Sequence, residues 1–346
     1  MSPALDAELD SARDAVSRAR RRPARRHRIL SGGLVAVLLA VFAARVLLGD
    51  FTITIPDCFR IVFGAEIPGA SFILMESKLP RAVLGVLVGV AFGVSGAIFQ
   101  ATLRNPLASP DIIGVGLGAS AAAVFAIVSL DRTGMPVAVS AIVGAVAVSA
   151  LVRWVAGPAA GYRLVLIGVG VAAALTSVVQ YLFTRADVYD AQLALRWLTG
   201  SLNQVDWPAI RLLAWFLLVL LPLLVWVAGS MRITELGDDI SAGLGVGSRR
   251  TDVLLLVAVV LTAVAVAAAG PVAFVSFLAG PIARALNSGR TTVLGAALVG
   301  AVIVVAADYV AAYLIADVNL PVGVVTGAFG APFLLWLLAH NGREAA

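Results

Sequence analysis

The chain has 346 residues, 61% of them hydrophobic and 13% charged, with a formal net charge of +5. An ordinary soluble domain is about a quarter charged, so the composition excludes one and leaves an integral membrane protein. A single cysteine, Cys58, excludes an internal disulfide and reads as a small buried apolar side chain. Two histidines, His27 and His340, at opposite ends of the chain, argue against a transition-metal centre.

Residues 1–28 form a polar tail ending in Arg18, Arg20, Arg21, Arg22, Arg25, Arg26 and Arg28. The apolar run 29–48 is longer than a signal-peptide core and has no small-residue cleavage site. It reads as a retained first span, with the arginines holding the tail in the cytoplasm. Nucleic-acid binding by the same arginines is the alternative, disfavoured by the adjoining span. An outer loop (49–78) leads to spans over 79–102, 111–130, 136–155 and 163–184. The second half gives 208–229, 251–270, a short 271–286, 291–315 and 321–340. Nearly all are close to the roughly 20 residues that cross a bilayer core.

Gly270-Pro271 and Gly280-Pro281 break the short segment, which is expected to be a half-span covered by neighbours. Ten spans put both termini on one side. Basic residues outside the tail divide almost evenly between the two faces, so the tail alone sets that side as cytoplasmic. The expected organisation is a tail (1–28), one membrane domain (29–340) with a cytoplasmic element at about 233–250, and a second tail (341–346).

Lys78 is the only lysine, in the context Met75-Glu76-Ser77-Lys78-Leu79-Pro80. A phosphate-binding P-loop needs Gly-Lys-Ser/Thr, because that lysine reaches the terminal phosphates. No such segment occurs here, so any ATP used in transport is bound by another subunit. Segment 235–246 is too polar to span and carries Leu236, Ile240 and Leu244 at helical spacing. It reads as a pair of short amphipathic helices on the cytoplasmic face, with a surface that calls for a partner.

Several stretches resemble one family. Lys78-Leu79-Pro80-Arg81 opens a helix that runs through Gly93-Val94-Ser95-Gly96-Ala97-Ile98-Phe99-Gln100, followed by Arg104-Asn105-Pro106-Leu107-Ala108-Ser109-Pro110-Asp111-Ile112-Ile113-Gly114. Then come Arg196-Trp197-Leu198-Thr199-Gly200-Ser201-Leu202-Asn203, the 235–246 segment, and Asn319-Leu320-Pro321-Val322-Gly323, continuing through Thr326-Gly327-Ala328-Phe329-Gly330-Ala331-Pro332. In this order they are similar to the permeases of ferric-siderophore, haem and cobalamin ABC importers. The Ser109-Pro110-Asp111 form and the 197–203 stretch are most similar to ferric-catecholate siderophore permeases.

The resemblance implies an all-α, ten-helix subunit of the large importer type, in a bacterial inner membrane. It pairs with a second permease subunit, identical or paralogous. Two ATPase subunits bind below and hydrolyse ATP with Mg, and an extracytoplasmic siderophore-binding protein docks from outside. This chain itself then carries no cofactor, no metal and no enzymatic site. Haem or cobalamin is the alternative cargo within the family.

Residue roles follow from the same resemblance. Lys78 and Arg81 match basic positions that receive acidic residues of the binding protein, where exposed charges steer docking; the alternative is snorkelling at a helix end. Many relatives carry a further arginine where this chain has Ala312. Glu235, Leu236, Gly237, Asp238, Asp239, Ile240, Gly243, Leu244 and Gly245 are expected to couple to the ATPase, the glycines permitting a sharp turn. Gly157, Pro158 and Gly161 fall where a cytoplasmic gate is expected, although an ordinary inner loop reads similarly. Gly85, Gly89, Gly93 and Gly96 mark a stripe on one helix for close packing. Asp308 is a costly ionisable group inside a span; a structural hydrogen-bonding role is expected, under which Asn is tolerated. Asn105-Pro106 and Ser109-Pro110 are expected to frame a rigid inner turn.

Two other classes are weighed. An ion-coupled transporter needs coordinating groups at mid-membrane, and only Asp308 offers one. A membrane-embedded enzyme needs a Ser-His or His-Glu arrangement within a span, and none occurs.

Overall fold

In a computed structural model, residues 26–157, 162–203, 207–234, 240, 243, 248–290, 292–315 and 319–341 are described. Twelve helices occur among them: α1 (Arg26–Leu47), α2 (Ile55–Val62), α3 (Ala70–Leu103), α4 (Val115–Leu130), α5 (Met135–Ala156) and α6 (Tyr162–Phe183) come first. The second half supplies α7 (Val188–Leu198), α8 (Trp207–Thr234), α9 (Ser248–Ala269), α10 (Val275–Leu286), α11 (Val293–Tyr313) and α12 (Val322–Asn341). Seven of these are long and apolar enough to span a membrane, and α4, α10 and α12 are shorter apolar helices. Together they correspond to the ten segments expected from sequence.

The bundle has a centre and a rim. Of the apolar stretch of α3, 78% is buried, against 67% for α9 and 56% for α11. For α1 and α8 the share is only 11%, so these rim helices present apolar side chains outward, as lipid-facing helices do. Helices α3 and α11 run antiparallel and pack on each other along their length; α9 and α10 also pack on α3. Helix α10 is 12 residues long, about 18 Å at the usual rise, and cannot cross a core of about 30 Å. The chain breaks before it at Gly270 (φ +71) and Phe274 (φ +65). The freed polar groups are covered by protein: Gln100 Nε2 donates to the Phe277 carbonyl at 3.0 Å.

The two ends of the bundle are tied across long sequence separations. At one end the Arg26 guanidinium reaches the Leu286 carbonyl at 3.5 Å. At the other, Ser201 N–H donates to Ala269 O and Gly323 N–H to Gly200 O, joining the ends of α7, α9 and α12.

Two expectations about elements are corrected. The second span does not begin at Leu79: helix α3 continues back to Ala70 through a π-helical turn at Ile73–Lys78. Pro80 has no N–H to offer the preceding turn. The turn widens instead, with Leu79 N–H bonding Leu74 O, and the helix passes the proline. Nor is the stretch between the spans expected at 163–184 and 208–229 a plain connection: it contains α7. Asp187 N-terminal to it, in extended backbone, is the start signal that was present.

Helix α2 starts on an N-cap: Thr54 Oγ1 accepts from Asp57 N–H at 3.3 Å. Its Cys58 and Ile61 pack on Val46, Leu74 and Ala82 between the ends of α1 and α3. Burial pushes the Cys58 thiol above its ordinary value, and the thiolate is the reactive form. Alkylation of Cys58 by N-ethylmaleimide at pH 7 is therefore expected to be slower than that of Arg60→Cys in a Cys58→Ala background. Equal rates would contradict the packing.

Candidate functional site

The buried charged side chains among the described residues, Arg45, Lys78, Arg81 and Asp308, gather at the outer end of the bundle. Asp308, on α11, is 1% exposed and receives two arginines from different helices. Arg45, near the end of α1, donates from Nε to Asp308 Oδ2 at 2.5 Å. Arg81, on α3, donates from Nε to Oδ1 at 2.8 Å and pairs through Nη2 with the same oxygen at 2.8 Å. Both carboxylate oxygens are thus used. The guanidiniums also reach Tyr313 Oη (3.0 Å from Arg45 Nη1) and Asn319 Oδ1 (3.4 Å from Arg81 Nη2). Asn203 Nδ2 donates to the same Asn319 oxygen at 3.3 Å.

Lys78 joins this cluster through main-chain carbonyls. Its Nζ donates to the carbonyls of Leu48 (2.7 Å) and Phe51 (2.6 Å) and lies 5.8 Å from the Tyr313 ring centroid. Gly49 makes the contact possible: it sits at φ +115, and a Cβ there would stand 2.5 Å from the Tyr313 ring. The expected exposure of Lys78 and Arg81 is corrected: they are 3% and 8% exposed, with their hydrogen bonds spent within the chain. The burial follows from α3 starting nine residues before Leu79, which places both cations within the helix against α1 and α11. Within this buried cluster three cations stand around one buried carboxylate, Asp308.

Arg45 was not singled out from sequence. The signal was there, since it is the one charged residue between Ile29 and Asp50, in an otherwise apolar run. Asp308 sits in a similar run of α11, and one intramembrane charge is a reason to look for its opposite.

The glycine stripe of α3 lies where backbones meet. A Cβ on Gly89 would come within 2.5 Å of the Gly300 carbonyl oxygen, one on Gly93 within 2.2 Å of Ala296 O, and one on Gly96 within 1.8 Å of Ser276 O. Gly85 is different: the nearest atoms are the ends of the Val305 and Leu202 side chains, at 3.3 and 3.4 Å. Three of the four are points of backbone contact with α10 and α11.

On the cytoplasmic side, Gly157 ends α5 with φ +70, and its carbonyl accepts from Arg153 Nη1. Arg153 also pairs with Asp252, on the first turns of α9, at 2.7 Å. Pro158 and Gly161 lie outside the described residues. So do Glu235, Leu236, Gly237, Asp238, Asp239, Leu244, Gly245 and the tails at 1–25 and 342–346. Ile240 and Gly243 are described; both are helical and exposed. The inner turn is ordered by Asn105, whose Oδ1 accepts from Leu107 N–H at 2.9 Å, with Arg104 left-handed at φ 51. Among the described residues, no three His, Cys, Asp or Glu side chains converge in the manner of a metal site.

A buried ion network, a small-residue helix seam and a broken half-span are thus the built features of this bundle, and comparison with known proteins gives its family. The model of the FecCD transport family matches residues 37–340. The ferric enterobactin transport system permease FepG of Escherichia coli is 38% identical over 86% of this chain and 91% of its own. The achromobactin transport system permease CbrC of Dickeya dadantii is 38% identical over 87% of this chain and 88% of its own. The vitamin B12 import system permease BtuC of Salmonella arizonae is 32% identical over 78% of this chain and 83% of its own. A solved structure, described as an inward-facing conformation of an ABC transporter assigned to the metal-chelate type, shares the fold with a TM-score of 0.79 at 24% identity. It covers 90% of this chain and 99% of its own. The chain therefore belongs to the FecCD transport family and is a multi-pass inner-membrane permease subunit of a metal-chelate, siderophore-type ABC importer.

Proposed function

We propose that the chain translocates an iron–siderophore complex into the cytoplasm as one of two permease subunits. An extracytoplasmic binding protein delivers the complex, and two separate ATPase subunits hydrolyse ATP. The observation that carries the cargo is the relatives' chemistry: two at 38% identity are the ferric enterobactin and achromobactin permeases. The chain's single lysine precedes Leu79 and forms no P-loop, which supports hydrolysis on other subunits.

Segment 235–246 couples the ATPase to the permease, and Gly157 with Pro158 and Gly161 forms the cytoplasmic gate. Arg153, bonded to both Gly157 and Asp252, ties the start of this gate to α9. At the outer end, Lys78 and Arg81 serve docking of the binding protein by holding the ends of α1, α3 and α11 together and not by direct pairing, since their hydrogen bonds are made within the chain.

The test is uptake of radiolabelled iron, offered as several ferric siderophores and as haem, in a host lacking this gene. Uptake of one ferric siderophore should disappear and return with the wild-type gene. It should not return with a variant carrying Asp238→Arg, Asp239→Arg and Leu244→Arg, which inserts normally but no longer retains the ATPase. Normal entry of all iron sources with loss of labelled cobalamin would overturn the cargo and leave the family intact. ATPase retention by the triple variant would overturn the coupling role.

A further inference from the structure

Helix α2 divides into three sectors. Cys58 and Ile61 face inward and pack on the ends of α1 and α3. Asp57 and Arg60 form a solvent-facing polar sector, joined by an i,i+3 ion pair at 3.8 Å. The third sector is apolar and uncovered: Ile55 is 60% exposed, Phe59 61%, Val62 48%, and Phe63, capping the helix, 84%. At 100° per residue these four fall within about a quarter-turn of one another and border the inward sector. So large an apolar face on eight residues is not a feature that water tolerates without a reason.

Position identifies the occupant. Helix α2 packs beside Leu74 and Ala82 of α3, which stand about 44 and 32 Å along the helix from Leu103 at its inner end. With a hydrocarbon core of about 30 Å and about 40–45 Å including headgroups, that range brackets the outer interfacial layer. The helix also packs on Val46 and Leu47 of α1, a rim helix with only 11% of its apolar stretch buried. The bare sector of α2 thus continues the bilayer-facing side of α1, where Leu39 and Leu48 are exposed.

We propose that α2 is an in-plane interfacial helix. Ile55, Phe59, Val62 and Phe63 lie in the outer headgroup–acyl boundary, and Asp57 and Arg60 face water. A helix with strongly segregated faces binds the interface in this way through its buried apolar area. The helix then fixes the depth of the outer end of α1, and with it Arg45. The inference does not depend on which chelate is carried.

The experiment is nitroxide accessibility in the nanodisc-reconstituted importer, from a Cys58→Ala background. Labels are placed at Phe59→Cys, Phe63→Cys and Arg60→Cys, and collision with oxygen is compared with collision with nickel–EDDA. Phe59 and Phe63 should show an oxygen-to-nickel ratio several-fold above that of Arg60. A high nickel rate at Phe59 and Phe63 means that the face is in water and overturns the proposal. Low rates for both reagents mean that a protein covers the face, the second permease subunit or the binding protein, and overturn it equally. A readout on the wild-type chain guards against labels that disturb folding. A photoactivatable phosphatidylcholine should cross-link into the tryptic peptides Val46–Arg60 and Ile61–Lys78; absence of lipid adducts on both would sink the idea.

Discussion

Alanine at Gly96 is expected to cost the protein most of its folded yield, although it adds a single methyl group. The new Cβ would lie 1.8 Å from the Ser276 carbonyl oxygen, with Ser276 C and Cα at 2.5 and 2.9 Å. All three are backbone atoms, so no rotamer change relieves the contact, and α10 must move off α3. That movement stretches the bond from Gln100 Nε2 to Phe277 O, which holds the broken half-span. Overpacking commonly costs about 1–3 kcal/mol, and a backbone collision belongs at or above the top of that range. The intrinsic preference of alanine over glycine in a helix offsets only about 1 kcal/mol of it. Gly93→Ala, with Ala296 O at 2.2 Å, should rank close behind, and Gly89→Ala follows. Gly85→Ala meets only side-chain termini at 3.3 and 3.4 Å and should lie within about 1 kcal/mol of wild type. Melting of detergent-solubilised variants, read by size-exclusion fluorescence, gives the order. A Gly96→Ala protein as stable as wild type, or a Gly85→Ala protein that is worse, would refute the account of the seam.

This seam shows what a sequence of this kind reveals. The four-residue spacing from Gly85 to Gly93 marked one helix face, because small residues at helical spacing have few uses in a membrane other than close approach. The partners, Ala296 and Ser276, could not be read, since nothing local to α3 encodes which helix lies against it. The ten spans were legible because hydrocarbon demands long apolar runs and internal satisfaction of every backbone group. The start of α3 was not, because Pro80 reads as a helix opening unless a π-helical turn ahead of it absorbs the missing N–H. Helix α7 was hidden by its mixed composition: it is a surface helix within a loop, without the apolar length that reveals a span. The outer ion network was half legible. Asp308 stands out as a costly charge and Lys78 and Arg81 as docking cations, yet Arg45 meets Asp308 across 263 positions of sequence, and only the assembled bundle pairs them.

That pairing reverses an expectation. If Asp308 served only as a hydrogen-bond acceptor, Asp308→Asn would be tolerated, because an amide keeps one acceptor oxygen. Among the described residues the carboxylate is the sole acidic partner of Arg45 and Arg81, with Arg45 and Asp308 each 1% exposed. Asparagine leaves two guanidiniums buried without a counter-charge, and its NH2 group points a donor at one of them. Breaking a buried ion pair from one side costs about 3–5 kcal/mol. Asp308→Asn is therefore expected to reduce both melting temperature and membrane level sharply. Arg45→Leu should be milder, roughly 1–3 kcal/mol, because Arg81 still neutralises Asp308 through both of its oxygens. The combined Asp308→Leu, Arg45→Leu and Arg81→Met variant should recover much of the lost stability, since well-packed apolar groups replace buried charges at little cost. The three sites share one network, so their effects will not add. The failure to add, read from melting curves of the single, double and triple variants, measures the coupling. If Asp308→Asn melts with wild type, or if the triple variant is worse than every single one, the charge balance does not hold this end of the bundle together.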